Sequence, residues 1–287
     1  MANLKEIRSR ISSVGSTMQI TSAMKMVSAA KLKRAQDAIT QMRPYANKLT
    51  ELLVNLSSNL DVADGGLFSE KRDLSKVLLV LITSNRGLCG GFNANIIKKS
   101  KSLIEKDYKN IDVDIISVGK KSSEYFTKNG YNVISTHDDL YSELNFNNTS
   151  IIAQNIMDYF VDGSYDKILL IYNQFKNAAT QIVMNEQFLP IESSIDNNSS
   201  VVDYIYEPNQ KDIIENLIPK SLKTQLYKAV LDSHASEHGA RMTAMHKATD
   251  NAGELKKDLT LQYNKARQAA ITGEILEIVG GAEALNG

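Results

Sequence analysis

The chain has 287 residues and a mass of 31.8 kDa, with 43% hydrophobic and 23% charged residues and a formal net charge of zero. Such a composition belongs to a globular protein with room for one large or two ordinary domains, and it excludes a low-complexity or disordered chain. The single cysteine, Cys89, excludes an internal disulfide and suits a reducing compartment, while no apolar run reaches the roughly 18 residues a membrane span needs.

The N-terminal stretch lacks the apolar core of a secretory signal, so a cytoplasmic chain is expected. It is basic: residues 1–45 carry eight Lys/Arg against two Asp/Glu, with the densest cluster at Lys31, Lys33 and Arg34. From residue 4 the apolar positions Leu4, Ile7, Ile11, Val14 and Met18, then Leu32, Ala35, Ile39, Met42, Ala46, Leu49, Leu53 and Leu56, recur in steps of three and four. That spacing predicts a coiled-coil helix over residues 3–57, about 80 Å long at 1.5 Å per residue. Pro44 inside it should kink the helix or cost it about 3 kcal/mol. Residues 61–73 read as a linker.

An α/β pattern follows. KVLLVLIT (76–83), DVDIISV (112–118), YNVIS (131–135) and DKILLIYN (166–173) read as strands, with helices at about 93–107, 119–129 and 148–162 between them. This alternation predicts a mainly parallel sheet, with QIVMNEQFLP and VVDYIY as edge strands, possible antiparallel ones included. The turn SNRGLCGGFN after the first strand tests a nucleotide reading. A dinucleotide fingerprint starting at Gly87 would need glycines at 89 and 92, where Cys89 and Phe92 stand, and no Lys-Ser/Thr pair follows. The turn is therefore read as a tight backbone approach, and Cys89 as a small buried hydrophobe.

From about Pro219 to Leu285 a second long helix is expected, its seam read as Ala244, Ala248, Ala252, Leu255, Leu259, Gln262, Ala266, Ala269, Gly273 and Leu276. Two long helices at opposite ends of one chain pair most simply with each other. The fold class is therefore α/β, a long antiparallel coiled coil of the N- and C-terminal helices with an inserted Rossmann-like open-sheet domain. Residues 1–60 and 210–287 would form one discontinuous domain and residues 74–207 the insert.

Within MQITSAMKMVSAAK the seam is interrupted at Thr21, Lys25 and Ser28, yet Ile20, Ala23, Met24, Met26, Val27, Ala29 and Ala30 keep other faces apolar. Ile271, Ile275, Ile278 and Val279 likewise fall off the second seam. A helix apolar nearly all round is buried nearly all round. If both patches lie at one end of the pair, a second protein enclosing that tip as a sleeve accounts for them. HASEH at His234–His238 fits a zinc-protease spacing but has no evident third ligand, so a solvated helix face is expected there.

IRSRISSVGSTMQITSAMKMVSAAKLKRAQ, RPY, SNRGLCGGFN, YEP and ARMTAMHKATDNAGELKKDLTLQYNKARQAAITGEILEIVGGAEAL together resemble the gamma subunit of F-type ATP synthase, in matching order along the chain. The resemblance implies a rotor shaft without catalytic, cofactor or metal residues of its own. It would turn inside a ring of three alpha and three beta subunits, and its globular part would sit on the c-ring beside epsilon. It implies ring contacts at Met24, Lys25, Lys31, Lys33, Arg34, Arg241, Arg267, Gln268 and Thr272. Tyr204, Tyr206 and Glu207 would meet the c-ring and epsilon, and Ile275 and Ile278 would meet the sleeve. Lacking the cysteine-bearing insertion of the chloroplast branch and a transit peptide, the chain looks bacterial, a peripheral protein on the cytoplasmic face of the inner membrane. Two other readings are a nucleotide-binding α/β enzyme with a coiled-coil arm, and a nucleic-acid clamp. The first lacks an acid, base or nucleophile set at usable spacing, and the second is at odds with apolar residues interleaved among the basic ones.

Overall fold

A computed structural model describes residues 4–58, 68–70, 72–191 and 210–286. Its elements are α1 (Leu4–Ser58), β1 (Lys76–Ile82), α2 (Phe92–Ser102), β2 (Asp112–Val118), α3 (Lys120–Lys128), β3 (Val133–Thr136), α4 (Phe146–Val161), β4 (Lys167–Phe175), β5 (Gln181–Leu189) and α5 (Gln210–Asn286). The chain divides into two compact units. One joins the start of α1, to Ser28, with α5 from Met242 onward; the other runs from Ala29 to Arg241.

The larger unit is built on a five-stranded sheet of order β3-β2-β1-β4-β5, parallel except for antiparallel β5 at one edge. The α/β class and the antiparallel edge strand read from the sequence are both found. β1 is apolar at successive positions because both its faces are covered. Leu78, Val80 and Ile82 pack with Ile156, Phe160, Leu222, Leu226 and Val230 on the side of α4 and α5. Val77, Leu79 and Leu81 pack with Ile96, Leu103 and Phe126 on the side of α2 and α3. Each fully buried leucine or isoleucine there contributes roughly 2 kcal/mol.

Helix α2 ends earlier than its apolar pattern. Residues Leu103–Asp107 form a π turn closed by Tyr108 N donating to Leu103 O at 3.0 Å. The wider turn brings Leu103 and Tyr108, five residues apart, into the same core. Helix α5 starts nine residues before the expected Pro219. Ile218 and Leu222 are buried on either side of that proline, so packing outweighs the backbone bond it removes. Helix α1 likewise continues through Pro44, and in this unit it buries Leu32, Ala35, Ile39, Ala46 and Leu49.

In the smaller unit α1 and α5 run antiparallel in a fixed register. Thr21 and Thr249 hydroxyls are 2.8 Å apart, and a Cβ added to Gly253 or Gly15 would meet Met18 Sδ at 3.9 Å or Lys256 Nζ at 3.7 Å. The covered α1 positions here include 4, 7, 11, 14, 18, 21, 25 and 28, an unbroken alternation of three and four, with 15, 22 and 24 covered beside it. The seam therefore passes through Thr21, Lys25 and Ser28 and is not interrupted there; Thr21 and Ser28 are buried. Opposite it lie Met245, Thr249, Ala252, Lys256, Leu259, Tyr263 and Ala266. This corrects the seam read from small residues, for Leu255, Gln262, Ala269 and Leu276 are exposed. Lys256 takes the place of Leu255, with the end of its side chain, Nζ and Cε, lying against Gly15, where no side chain competes for the space.

Candidate functional site

Three places carry the residues singled out from the sequence: the loop after β1, the stretch of α5 beneath it, and the helix pair of the smaller unit. In the loop, the Ser84 hydroxyl donates to Arg86 O at 2.7 Å, and the Asn93 amide donates to Ser84 Oγ at 2.7 Å and to Cys89 Sγ at 3.2 Å. Cys89 and Phe92 bury themselves against Ala240. Burial pushes the Cys89 thiol up, which keeps it protonated and unreactive. Leu88 is exposed at φ 62°, a left-handed conformation leucine seldom adopts, and Gly90 follows at φ 59°.

In an open α/β sheet a nucleotide would enter at the carboxyl ends of β1 and β4, where the strand order reverses. Helix α5 fills that crevice. Ser233 Oγ donates to Ile82 O at 3.5 Å and Ser236 Oγ to Asn173 O at 3.0 Å, while Asn173 Nδ2 donates to Phe92 O at 3.1 Å. Arg241 completes the closure: its guanidinium donates to Arg86 O at 3.0 Å, to Gly87 O at 3.3 Å and to Glu237 Oε1 at 2.6 Å. A phosphate needs N–H donors, but those of Arg241 are spent on loop carbonyls, Phe92 N donates to Cys89 O at 3.3 Å, and the first turn of α2 holds no lysine.

Arg241 is buried in the chain, its donors turned to the loop carbonyls and to Glu237. Nine residues earlier, Asp232 is fully buried and accepts from Arg43 Nη2 at 2.9 Å, and the same nitrogen donates to Phe175 O at 3.0 Å. Burial pushes the Asp232 and Glu237 carboxyls up, and the facing guanidinium of Arg43 or Arg241 pulls each back. Sequence reading passed over Arg43, Asp232 and Glu237. Their only signals were an acid among small residues in LDSHASEH and an i, i+4 Glu–Arg pair.

His234 and His238 are not on a solvated face. Their Nε2 atoms lie 3.1 Å apart, the rings meet edge to face, and Tyr141 stacks on His234. Burial lowers their basicity, to about 4 for His234 and about 3 for His238, so both are neutral at pH 7. No third His, Cys, Asp or Glu stands with them to hold a metal, among the described residues.

On the helix pair, Ile20, Met26 and Val27 of α1 and Ile271, Ile275, Leu276, Ile278 and Val279 of α5 are exposed. Met24 and Lys25 are half-buried, whereas Arg267, Gln268 and Thr272 are exposed. The two apolar patches do not share one end of the pair: the register sets residue 20 opposite about residue 250, leaving the α5 patch roughly 30 Å or more further along. In the larger unit Lys31, Lys33 and Arg34 are exposed, with Lys33 3.2 Å from Asp37. Tyr204, Tyr206 and Glu207, and the VVDYIY segment, lie outside the described residues. No helix among the described residues is long and apolar enough to cross a membrane.

The family model described as ATP synthase matches residues 3–285. A protein of Christiangramia forsetii named ATP synthase gamma chain is 61% identical, with all of both chains aligned; its namesake in Flavobacterium johnsoniae is 63% identical, again over the whole of both chains. Among solved structures, the central stalk of the Tetrahymena thermophila mitochondrial ATP synthase has TM-score 0.60 and 27% identity, covering 80% of this chain and 99% of its own. A rotor chain of the Euglena gracilis enzyme has TM-score 0.68 at 22% identity, covering 93% and 98%, a likeness of fold.

Proposed function

This chain belongs to the gamma chains of F-type ATP synthase, of bacterial type, the non-catalytic central stalk of the rotor, and from that premise we propose how its two helices couple rotation to catalysis. The carrying observation is the pair of apolar patches that neither helix buries. The Ile271–Val279 patch turns within a sleeve of three alpha and three beta subunits. Ile20, Met26 and Val27, with Met24 and Lys25 beside them, meet the ring further down. Arg267, Gln268 and Thr272 supply polar contacts on the same helix, and Lys31, Lys33 and Arg34 face acidic surface of the ring. Residues 1–60 with 210–287 act as the shaft. The insert, residues 74–207, with Tyr204, Tyr206 and Glu207 at its foot, meets the c-ring and epsilon on the cytoplasmic face of the inner membrane, where the chain is held only through the complex.

The shaft makes and breaks no bond. Two helices of unlike sequence present a different face in each direction, so three identical beta subunits meet three different surfaces. A contact shifts a subunit's open–closed equilibrium only by the difference in its energy with the two states. Because that coupling is reciprocal, rotation driven by ion flow forces product release, and hydrolysis drives rotation in reverse. A photo-crosslinker placed at Ile278 in the complex isolated from native membranes tests the reading. Products with alpha or beta are expected; crosslinks confined to this chain would refute it.

A further inference from the structure

Resting on the rotor reading, we infer that two ion pairs with buried carboxylates, Arg43–Asp232 and Glu237–Arg241, form a bracket that fixes α5 rigidly to the sheet so that twisting load passes without slip. On one stretch of α5, Asp232, Ser233, Ser236, Glu237 and Arg241 are all buried and polar, packed on the carboxyl ends of β1 and β4 where apolar residues would fit. Stability alone does not ask for this. Burying a carboxylate is repaid only partly even when a guanidinium faces it, and apolar residues of similar volume commonly serve as well. Asp232 leaves its Oδ2 without a partner, so this pair is not optimised as a stabiliser.

Directional bonds supply what an apolar contact cannot, namely resistance to sliding and rolling. The first pin joins three elements: Asp232 Oδ1 on α5 accepts from Arg43 on α1 at 2.9 Å and from Phe175 N at the end of β4 at 3.4 Å, and Arg43 returns a bond to Phe175 O at 3.0 Å. It acts at the turn of α1 that Pro44 deprives of a backbone donor. The second pin joins α5 to the loop after β1 through Arg241 and the carbonyls of Arg86 and Gly87, with Glu237 holding the guanidinium. One attachment is a pivot. Two, about 14 Å apart along α5, fix its orientation.

The test uses the assembled complex, immobilised through its catalytic ring, with an optical probe on the insert of this chain. The variants are Arg43→Met with Asp232→Leu, and Arg241→Met with Glu237→Leu. Each full-length variant chain is expected to melt near the wild type. The angular variance of the probe during pauses should roughly double in each, as when one of two rigid attachments through a close-packed interior becomes a smooth contact. Arg43→Lys keeps the charge and loses the planar fork, and should widen the variance by less. Unchanged variance in variants that fold and rotate overturns the bracket, as does an unfolded apolar variant accompanied by wild-type variance in Arg43→Lys. A wild-type chain that did not rotate would refute the rotor reading and the bracket with it, whereas rotation with unchanged variance refutes the bracket alone.

Discussion

Ile275→Asp with Ile278→Asp separates a surface kept for a partner from one packed within the chain. The two side chains are 54% and 71% exposed in the chain alone. Replacing them removes little burial, and isoleucine and aspartate differ by only a few tenths of a kcal/mol in helix propensity. A carboxylate toward the C-terminal end of a helix costs a few tenths more, so the pair should destabilise the free chain by less than about 1 kcal/mol. Leu259→Asp strikes the seam, where the leucine is 7% exposed. It forfeits roughly 2 kcal/mol of burial and adds a desolvation cost of at least a few more, enough to melt the helix pair of the smaller unit. Leu255→Asp is the internal control: four residues away and 49% exposed, it should be mild. Circular dichroism melts of the three full-length variants give the stability order, and reconstitution with alpha and beta subunits gives assembly. The isoleucine variant should keep its melting curve and lose assembly by orders of magnitude. If it unfolded the free chain as badly as Leu259→Asp, the patch would be packed within this protein and the sleeve would lose its basis.

Calorimetry on the purified chain should detect no ATP binding, because α5 occupies the crevice and the donors of Arg241 are spent on Glu237 and the loop carbonyls; micromolar affinity would contradict that. Reversing Lys31, Lys33 and Arg34 to Glu should impair coupling or assembly more at low salt than at high, since exposed charges are screened over about 10 Å at 0.1 M. An equal defect at every ionic strength would show that they do not face acidic surface. Acid should weaken the fold through His234 and His238. Their folded values of about 4 and about 3 lie below the ordinary 6.5, so the unfolded chain takes up protons first, and stability present above pH 6.5 falls away toward pH 4. At pH 5 this amounts to roughly 2 kcal/mol per histidine. The variant His234→Gln with His238→Gln should melt with a flatter dependence on pH between 6.5 and 4, and an unaltered slope would mean the pair is not buried neutral.

Where one residue type decides an environment, the sequence was a good guide. Seven successive apolar or aliphatic-stemmed residues from Lys76 to Ile82 can only be a strand covered on both faces, and that is β1. Reading was poorer where polar atoms are buried with partners. Thr21 looked like a break in the seam because a hydroxyl belongs in water unless it is bonded inside the protein; it reaches Met18 O one turn back at 3.1 Å and meets the hydroxyl of Thr249, 228 positions away. Leu255 looked like a seam residue because hydrophobicity was followed where geometry favoured Lys256. The histidine pair was read as solvated, and Asp232 passed over, for the same reason: Tyr141, Arg43 and Phe175, which make their burial tolerable, come from distant segments. In the loop after β1 spacing alone ruled out a phosphate cradle, but what fills the crevice instead comes from α5, more than a hundred positions downstream.

Each step forward along α1 in the smaller unit is matched by a step back along α5, with Thr21 against Thr249, Met18 against Gly253 and Gly15 against Lys256. Such pairing restricts how a chain of this kind can lengthen or shorten. One residue inserted in either partner turns everything beyond it by about 100° about the helix axis, which would carry the covered stripe into solvent. A whole heptad restores the stripe but moves the two threonines past one another, so the bond between the helices would be lost and each hydroxyl left with only the carbonyl of its own helix, Met18 O or Met245 O. Tolerated changes in length should therefore gather in the loops of the sheet domain, while the paired helices keep one count through descent.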